Sequence, residues 1–198
     1  MPNPGVECRL ADDGELLLRS RANMLGYFKD PDGTARMLDQ DGFLHTGDLG
    51  EVDKEGFLRV IGRARDVFTT RAGKVIRPGP IERLLDASTL IEQSCVLGEN
   101  LPQPIALVQL HEAESDAQEP TIDERLSRIL NDSNKRLPQH QQLACLVVMR
   151  DKWNVNNGFI TPTLKLKRHV VAATYQDQLE MWSVSGKRVL WQETPASD

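Results

Sequence analysis

The feature that most constrains the fold is a change of rhythm at Gly62-Arg-Ala-Arg-Asp66. Before it, short apolar runs are punctuated by turn-forming residues. Val6-Glu-Cys-Arg-Leu10 and Glu15-Leu-Leu-Leu-Arg19 flank Ala-Asp-Asp-Gly, a hairpin signal. Gly42-Phe-Leu-His45, Asp48-Leu-Gly-Glu-Val52 and Phe57-Leu-Arg-Val-Ile61 follow, with Asp-Gly and Lys-Glu-Gly turns among them. Such a meander predicts a small antiparallel sheet or partly open barrel. One short helix interrupts it, with Asp30 near the N-cap, Pro31 in the first turn and Thr34 to Leu38 as its body.

After the boundary, strand and helix patterns interleave. Val67 to Thr70 and Lys74 to Arg77 read as a hairpin about Arg71-Ala-Gly73, and Pro80 to Leu85 as a helix. Ile91 to Leu97 and Ile105 to Leu110 read as strands, and Glu112 to Pro120 as an acidic connector without structure. Thr121 to Arg136 is an amphipathic helix that places Ile122, Leu126, Ile129 and Leu130 on one face. Leu143 to Met149 is a buried strand, His169 to Trp182 a helix, and Gln192 onward a disordered tail. The expected fold class is α+β. A small β-rich subdomain over 1–62, part of a distorted barrel, is followed by a junction at 63–66, a compact α+β domain over 67–185 and a tail over 186–198.

Composition narrows the function classes. The 198 residues are 39% hydrophobic and 27% charged, ordinary for a globular chain with a real core. A formal charge of −5 argues against bulk electrostatic binding to nucleic acid. No apolar run approaches the ~20 residues of a membrane span, and Met1-Pro-Asn-Pro-Gly5 has neither the basic nor the apolar region of a signal peptide. Cys8, Cys95 and Cys145 sit among apolar residues without metal-ligand spacing. They read as buried thiols of a reducing, cytoplasmic compartment.

Three clusters offer chemistry, each with a plainer alternative. In His45-Thr-Gly-Asp-Leu49, the Asp48 carboxylate after a glycine suits vicinal ribose hydroxyls, though Gly-Asp turns that cap their own backbone are common. The charges of Gly62 to Asp66 suit either a hinge or a solvated linker of weak ion pairs. The third is Asn157-Gly-Phe-Ile-Thr-Pro-Thr-Leu-Lys-Leu-Lys-Arg168, a shaped loop leading to Lys165, Lys167 and Arg168. A lysine there can neutralise charge developing on a phosphate or carboxylate oxygen, or simply lie along the surface. A nucleic-acid patch is disfavoured, because no aromatic residues interleave with the bases.

Taken in order, the motifs resemble the acyl-adenylate-forming superfamily. The motifs are Gly14-Glu-Leu16, Gly26-Tyr-Phe-Lys-Asp-Pro31, Asp41-Gly-Phe-Leu-His-Thr-Gly-Asp48, Gly62-Arg-Ala-Arg-Asp66, Gly73-Lys-Val-Ile-Arg-Pro78, Ile81-Glu82 and Thr161-Pro-Thr-Leu-Lys-Leu-Lys-Arg168. The last is similar to the long-chain acyl-CoA synthetase branch. The resemblance implies the C-terminal portion of an ATP-dependent fatty-acid–CoA ligase, an acid–thiol ligase that proceeds through an acyl-adenylate. By the same resemblance Asp48 holds the ATP ribose, Arg63 contacts the ribose and phosphate region, and Arg65, with Asp66, is the hinge of a mobile lid. Lys165 is the adenylation lysine, and Ala72 and Gly73 help form the channel for the pantetheine arm of CoA.

The chain departs from the pattern in two places: Arg65 stands where aspartate or lysine is usual, and Thr69 where a lysine is usual. Lys74 matches a lysine of the long-chain branch without an assigned role. The Ser/Thr-Gly-Thr-Thr-Gly phosphate loop is not in the sequence. The expectation is therefore a fragment, inactive alone, whose partners are fatty acid, CoA and the N-terminal adenylation domain of its parent chain. ATP, Mg2+ and CoA are expected cofactors held mainly by that domain, with no metal ligand in this chain. A cytoplasmic enzyme is expected, with any peripheral membrane contact made by the remaining part. Two other readings stand beside it, an adenylating enzyme that loads a carrier protein and a non-enzymatic lid-like binding module.

Overall fold

The computed structural model describes residues 4–112 and 118–193 and divides into two compact units, one ending at Asp66 and one starting at Val67. The class is α+β, as expected.

The first unit is a four-stranded antiparallel sheet in the order β1-β2-β3-β4, formed by β1 (Val6–Leu10), β2 (Glu15–Ser20), β3 (Leu44–Val52) and β4 (Leu58–Arg63). Helix α1 (Pro31–Met37) begins as the sequence predicts. Pro31 opens it, and the Asp30 carboxylate accepts the Gly33 N–H at 2.7 Å. Leu16, Leu17, Phe43 and Leu49 make the small core. The sequence divides His45 from Asp48 into separate strands, but β3 runs through both. Gly47 takes φ +69°, a conformation open to glycine, so the strand bends without leaving the ladder.

The second unit opens with a two-stranded hairpin, β5 (Phe68–Thr69) and β6 (Val75–Ile76). Its main sheet has the order β10-β9-β8-β7. The strands are β7 (Ile91–Leu97), β8 (Ile105–Leu110), β9 (Leu146–Val148) and β10 (Val189–Trp191). β7 and β8 are antiparallel; β8, β9 and β10 run parallel. Parallel neighbours require crossovers, and helices covering both faces leave near-continuous apolar strands. That is why every residue of β8 is buried.

Alternation along the strands builds two cores. Ala106, Val108, Leu146 and Val148 face α2 (Pro78–Asp86) and α3 (Glu119–Arg136) through Ile81, Leu85, Ile122, Leu126 and Leu130. Ile105, Leu107, Cys145 and Val147 point the other way, toward Val171, Tyr175 and Trp182 of α4 (Arg168–Val184).

Several sequence expectations need correction. The tail does not start at 186, because β10 completes the sheet. Gln192, expected to be disordered, is buried. Its Oε1 accepts the N–H groups of Arg150 and Asp151 at 2.9 and 3.2 Å, and its Nε2 donates to the Asp151 carboxylate. The connector ends earlier than predicted, since Glu119 and Pro120 open α3; residues 113–117 and 194–198 lie outside the described residues. The strand predicted over 143–149 shortens to β9, and α2 starts at Pro78. Cys95 and Cys145 are buried, whereas Cys8 is only partly covered.

Candidate functional site

Asp48 lies on β3 directly opposite Arg63 on β4. The Arg63 Nε is 2.9 Å from the Asp48 Oδ1, and both side chains are part exposed. Arg63 also donates to the Thr46 carbonyl at 3.4 Å. A pair open to solvent contributes little to folding, about 0–1 kcal/mol. It does hold a carboxylate and a guanidinium side by side at the mouth of a bent strand. The turn reading of Asp48 predicted a side chain that caps its own backbone; its carboxylate instead meets Arg63.

The bend itself is held by Glu15, to which the sequence reading gave no role. One oxygen of its carboxylate accepts the Gly47 N–H at 2.8 Å, and the other lies 2.8 Å from the His45 Nδ1. Thr46 adds a bond from its hydroxyl to the Leu16 carbonyl at 2.7 Å, and its Oγ1 accepts the Asp48 N–H at 3.1 Å. The β2–β3 register shifts at this point. The available signal was a glutamate opening an apolar strand, Glu15-Leu-Leu-Leu, where a buried-facing carboxylate demands partners.

Arg65 and Asp66 form, with Ala64, a single 3-10 turn. Their side chains are 3.8 Å apart and Arg65 is 85% exposed, so among the described residues only its neighbour pairs with the guanidinium.

In the second unit, Lys165 sits on a loop with a firm backbone. The Thr161 N–H donates to the Lys165 carbonyl at 2.8 Å, and the Lys165 N–H donates to the Thr161 Oγ1 at 3.0 Å. Ile160 and Leu166 bridge across the loop, and the Lys167 N–H reaches the Phe159 carbonyl at 2.8 Å. Leu164, at the tip, takes φ +58° and is exposed. Below the loop, Phe159 stacks on Tyr175 with centroids 6.1 Å apart and planes 6° apart, flanked by Trp153 and Trp182. The Tyr175 hydroxyl is held above its ordinary pKa by burial, with the nearby Asp151 charge acting the same way. The Lys165 side chain is exposed, and no carboxylate among the described residues pairs with it.

Ala72 and Gly73 form the turn between β5 and β6, where Gly73 has φ +73°. Arg71 ties that turn down by donating to the Asn100 carbonyl at 3.2 Å and to Glu180 of α4 at 2.7 Å. Beside it opens a cleft of about 580 Å³, lined among others by Ala72, Lys74, Gln103, Gln139, His140 and Gln142. Lysine, histidine and amides without a carboxylate suit a polar or anionic guest.

The sequence-predicted residues thus divide between the units. Asp48 and Arg63 are adjacent in the first, while Ala72, Gly73 and Lys165 occupy two separate loops of the second. Among the described residues, no cluster of His, Cys, Asp and Glu has the size to hold a metal, and no helix is long and apolar enough to cross a membrane.

Comparison with known proteins gives this arrangement a context. A family model described as the AMP-binding enzyme C-terminal domain matches residues 65–182. A putative fatty-acid–CoA ligase of Mycobacterium tuberculosis, FadD11, is 31% identical over 194 residues, covering 89% of this chain and 34% of that protein. The long-chain-fatty-acid–CoA ligase FadD15 of the same organism is 30% identical, covering 90% and 32%. The chain thus spans about a third of the length of these relatives. Among solved structures, the adenylation domain of a Mycobacterium chelonae carboxylate reductase superposes with a TM-score of 0.75 at 25% identity, covering 91% of this chain and 31% of the other.

Proposed function

We propose that this chain, which belongs to the AMP-binding enzyme C-terminal domain family, supplies the ribose-binding carboxylate and the adenylation lysine of an ATP-dependent fatty-acid–CoA ligase. The observation that carries the reading is Lys165 itself. Its backbone is fixed on both sides of a tight loop while its side chain is exposed and faces no carboxylate among the described residues. The loop thus presents a positive charge on a flexible stem that grows from a fixed backbone.

In the first half-reaction a fatty-acid carboxylate oxygen bonds to the α-phosphorus of ATP, and the bond to the bridging oxygen breaks to release pyrophosphate. Negative charge accumulates on the α-phosphoryl and carboxylate oxygens, where Lys165 meets it. Fixed charges aimed at such positions contribute about 3–4 kcal/mol each by analogy with single oxyanion donors. Asp48 accepts hydrogen bonds from the ribose hydroxyls, and Arg63 beside it is placed for the ribose–phosphate region. In the second half-reaction the CoA sulfur bonds to the acyl carbon, the acyl–phosphate bond breaks, AMP leaves and the thiol proton passes to solvent. Rotation about Arg65 and Asp66 would withdraw Lys165 between the steps. The Ala72–Gly73 turn would then line the thiol channel, and the cleft beside it, with Lys74 and His140, suits the phosphates of CoA.

ATP, fatty acid and CoA are therefore assigned as substrates. Mg2+ accompanies the triphosphate and is assigned mainly to the remainder of the enzyme, since Mg2+ is typically held by one or two carboxylates together with the phosphates. The chain alone is inactive in this reading, since its sequence holds no phosphate loop and it spans a third of its relatives.

The test replaces the matched third of FadD15 with this chain and compares wild type with Lys165→Ala. ATP–pyrophosphate exchange with a long-chain fatty acid should fall at least 100-fold, while thioester formation from premade acyl-adenylate persists. Equal rates in both assays would remove Lys165 from the chemistry. Because a carboxylate reductase adenylation domain shares the fold, a parallel arm offers a phosphopantetheinyl carrier protein in place of CoA. Transfer to the carrier alone would favour the carrier-loading reading.

A further inference from the structure

Glu82 and Arg168 have no part of their own in the reaction above, yet among the described residues of the second unit they form the most extensively bonded ion pair. The Arg168 guanidinium grips the Glu82 carboxylate with two nitrogens, at 2.5 and 2.8 Å. The same Arg168 nitrogen donates to the Val96 carbonyl at 2.9 Å, and Glu82 accepts the Val96 N–H at 2.7 Å. Both side chains are largely covered, at 17% and 14% exposure.

The placement matters more than the strength. β7 is an edge strand of the main sheet, so the Val96 N–H and C=O that point away from β8 lack a strand partner. Glu82 comes from α2 on one face and Arg168 from the first residue of α4 on the other. The pair wraps the sheet edge, satisfies both backbone groups and pins the start of α4 to α2 and β7. Lys165 lies three residues before that pin.

We propose that the Glu82–Arg168 pair is a clamp that positions Lys165, acting through the first turn of α4 on the loop that carries the lysine. The inference takes the role of Lys165 from the proposed function. The loop has two ends. The Phe159 stack holds the entry, and besides Arg168 the exit is held by hydrogen bonds to Thr161 and Phe159 and by the packing of Leu166 and Val170 on the core, contacts that are less directional than a bidentate pair. The requirement is for arginine and not merely a cation, since one planar group must meet a carboxylate bidentately and a carbonyl at once.

The test measures amide hydrogen exchange of the chain itself, which reads the clamp independently of turnover. In wild type the N–H groups of Leu164, Lys165 and Lys167 are bonded to Thr161 and Phe159. In Glu82→Gln and Arg168→Lys, these three amides should exchange at least tenfold faster, while Leu107 and Val108 of β8 keep wild-type protection. Should an isolated charge prevent folding, the double variant Glu82→Leu/Arg168→Met removes both charges, a change buried ion pairs often tolerate. It should fold with the same loss at the loop. Wild-type protection at the loop in any folded variant overturns the clamp, and so does loss at β8 equal to that at the loop, which marks a purely structural pair. In the FadD15 chimera, Arg168→Lys should lower kcat for pyrophosphate exchange tenfold or more, with the KM for ATP within twofold. Failure of Lys165→Ala to impair exchange would sink the function and leave the clamp's effect on the loop measurable.

Discussion

Glu15 gives the sharpest prediction, because one carboxylate holds the strand that carries Asp48. It accepts the Gly47 N–H and pairs with the His45 Nδ1, each at 2.8 Å, and its own side chain is only 15% exposed. A hydrogen bond to a charged group contributes about 1.5–3 kcal/mol and a neutral one about 0.5–1.5. Glu15→Gln keeps an oxygen for Gly47 and an amide for His45, so each bond falls from the charged to the neutral class. The expected loss is about 1–2 kcal/mol after allowance for solvent that reaches part of the site. Glu15→Leu removes both acceptors and orphans the Gly47 N–H, which raises the loss to roughly 3 kcal/mol. All three tryptophans lie beyond residue 66, so their fluorescence reports the second unit alone. Urea titration followed by far-ultraviolet circular dichroism and by tryptophan fluorescence therefore separates the units. The first transition should move in the order Gln, then Leu, while the fluorescence midpoint stays fixed. A Gln variant as stable as wild type, or less stable than the Leu variant, would refute the reasoning.

Four further outcomes follow from the same geometry. Lys74→Ala in the FadD15 chimera should raise the KM for CoA severalfold and leave pyrophosphate exchange unchanged, since Lys74 lines the cleft beside Ala72. The Asp86 carboxyl is held above its ordinary pKa of 3.8, chiefly by burial and further by the Glu82 charge, against the Ser94 hydrogen bond. Its folded form thus binds a proton more tightly than its unfolded form. Stability is lost as pH rises through the window above 3.8, and Asp86→Asn should be the more stable protein at neutral pH by thermal melting. Burial pushes the Cys145 thiol up to about 12, and Cys95 is fully covered; one equivalent of thiol, Cys8, should react with a chromogenic disulfide before unfolding. Leu126→Ala, in the core between α3 and the sheet, should cost about 2–5 kcal/mol in a urea titration read by tryptophan fluorescence.

What could be read in the sequence depended on the range of the interaction. α1 was legible because its signals are local: Asp30 caps Gly33 three residues on, and Pro31 fixes the first turn. α3 was legible because Ile122, Leu126 and Leu130 repeat at helical spacing, although its first turn hid behind an acidic segment. β10 was not, since Val189-Leu-Trp191 is too short for any period and becomes a strand only when β9 arrives from forty residues earlier. Gln192 misled for a related reason. A glutamine near a polar end reads as solvated, and only the fold supplies the Arg150 and Asp151 amides that bury it.

The candidate site follows the same division. Asp48, Arg63 and Lys165 stood out through motif order, which identifies positions but says nothing of what holds them. Their supports are all distant in sequence. Glu15 reaches Gly47 across 32 residues, and Glu82 reaches Arg168 across 86. The groups proposed to act on ligands, or to turn as a hinge, keep part of their charge facing outward and carry few internal contacts. Asp48 keeps a part-exposed pair, Arg65 is 85% exposed and Lys165 meets no carboxylate among the described residues. The tightly bonded charges stand one layer behind them, where desolvation makes each unmet bond expensive. In this chain, strong hydrogen bonding and the proposed chemistry therefore fall on different residues. Substitutions at Glu15 and Glu82 should register first in exchange and melting, and those at Lys165 and Lys74 first in turnover.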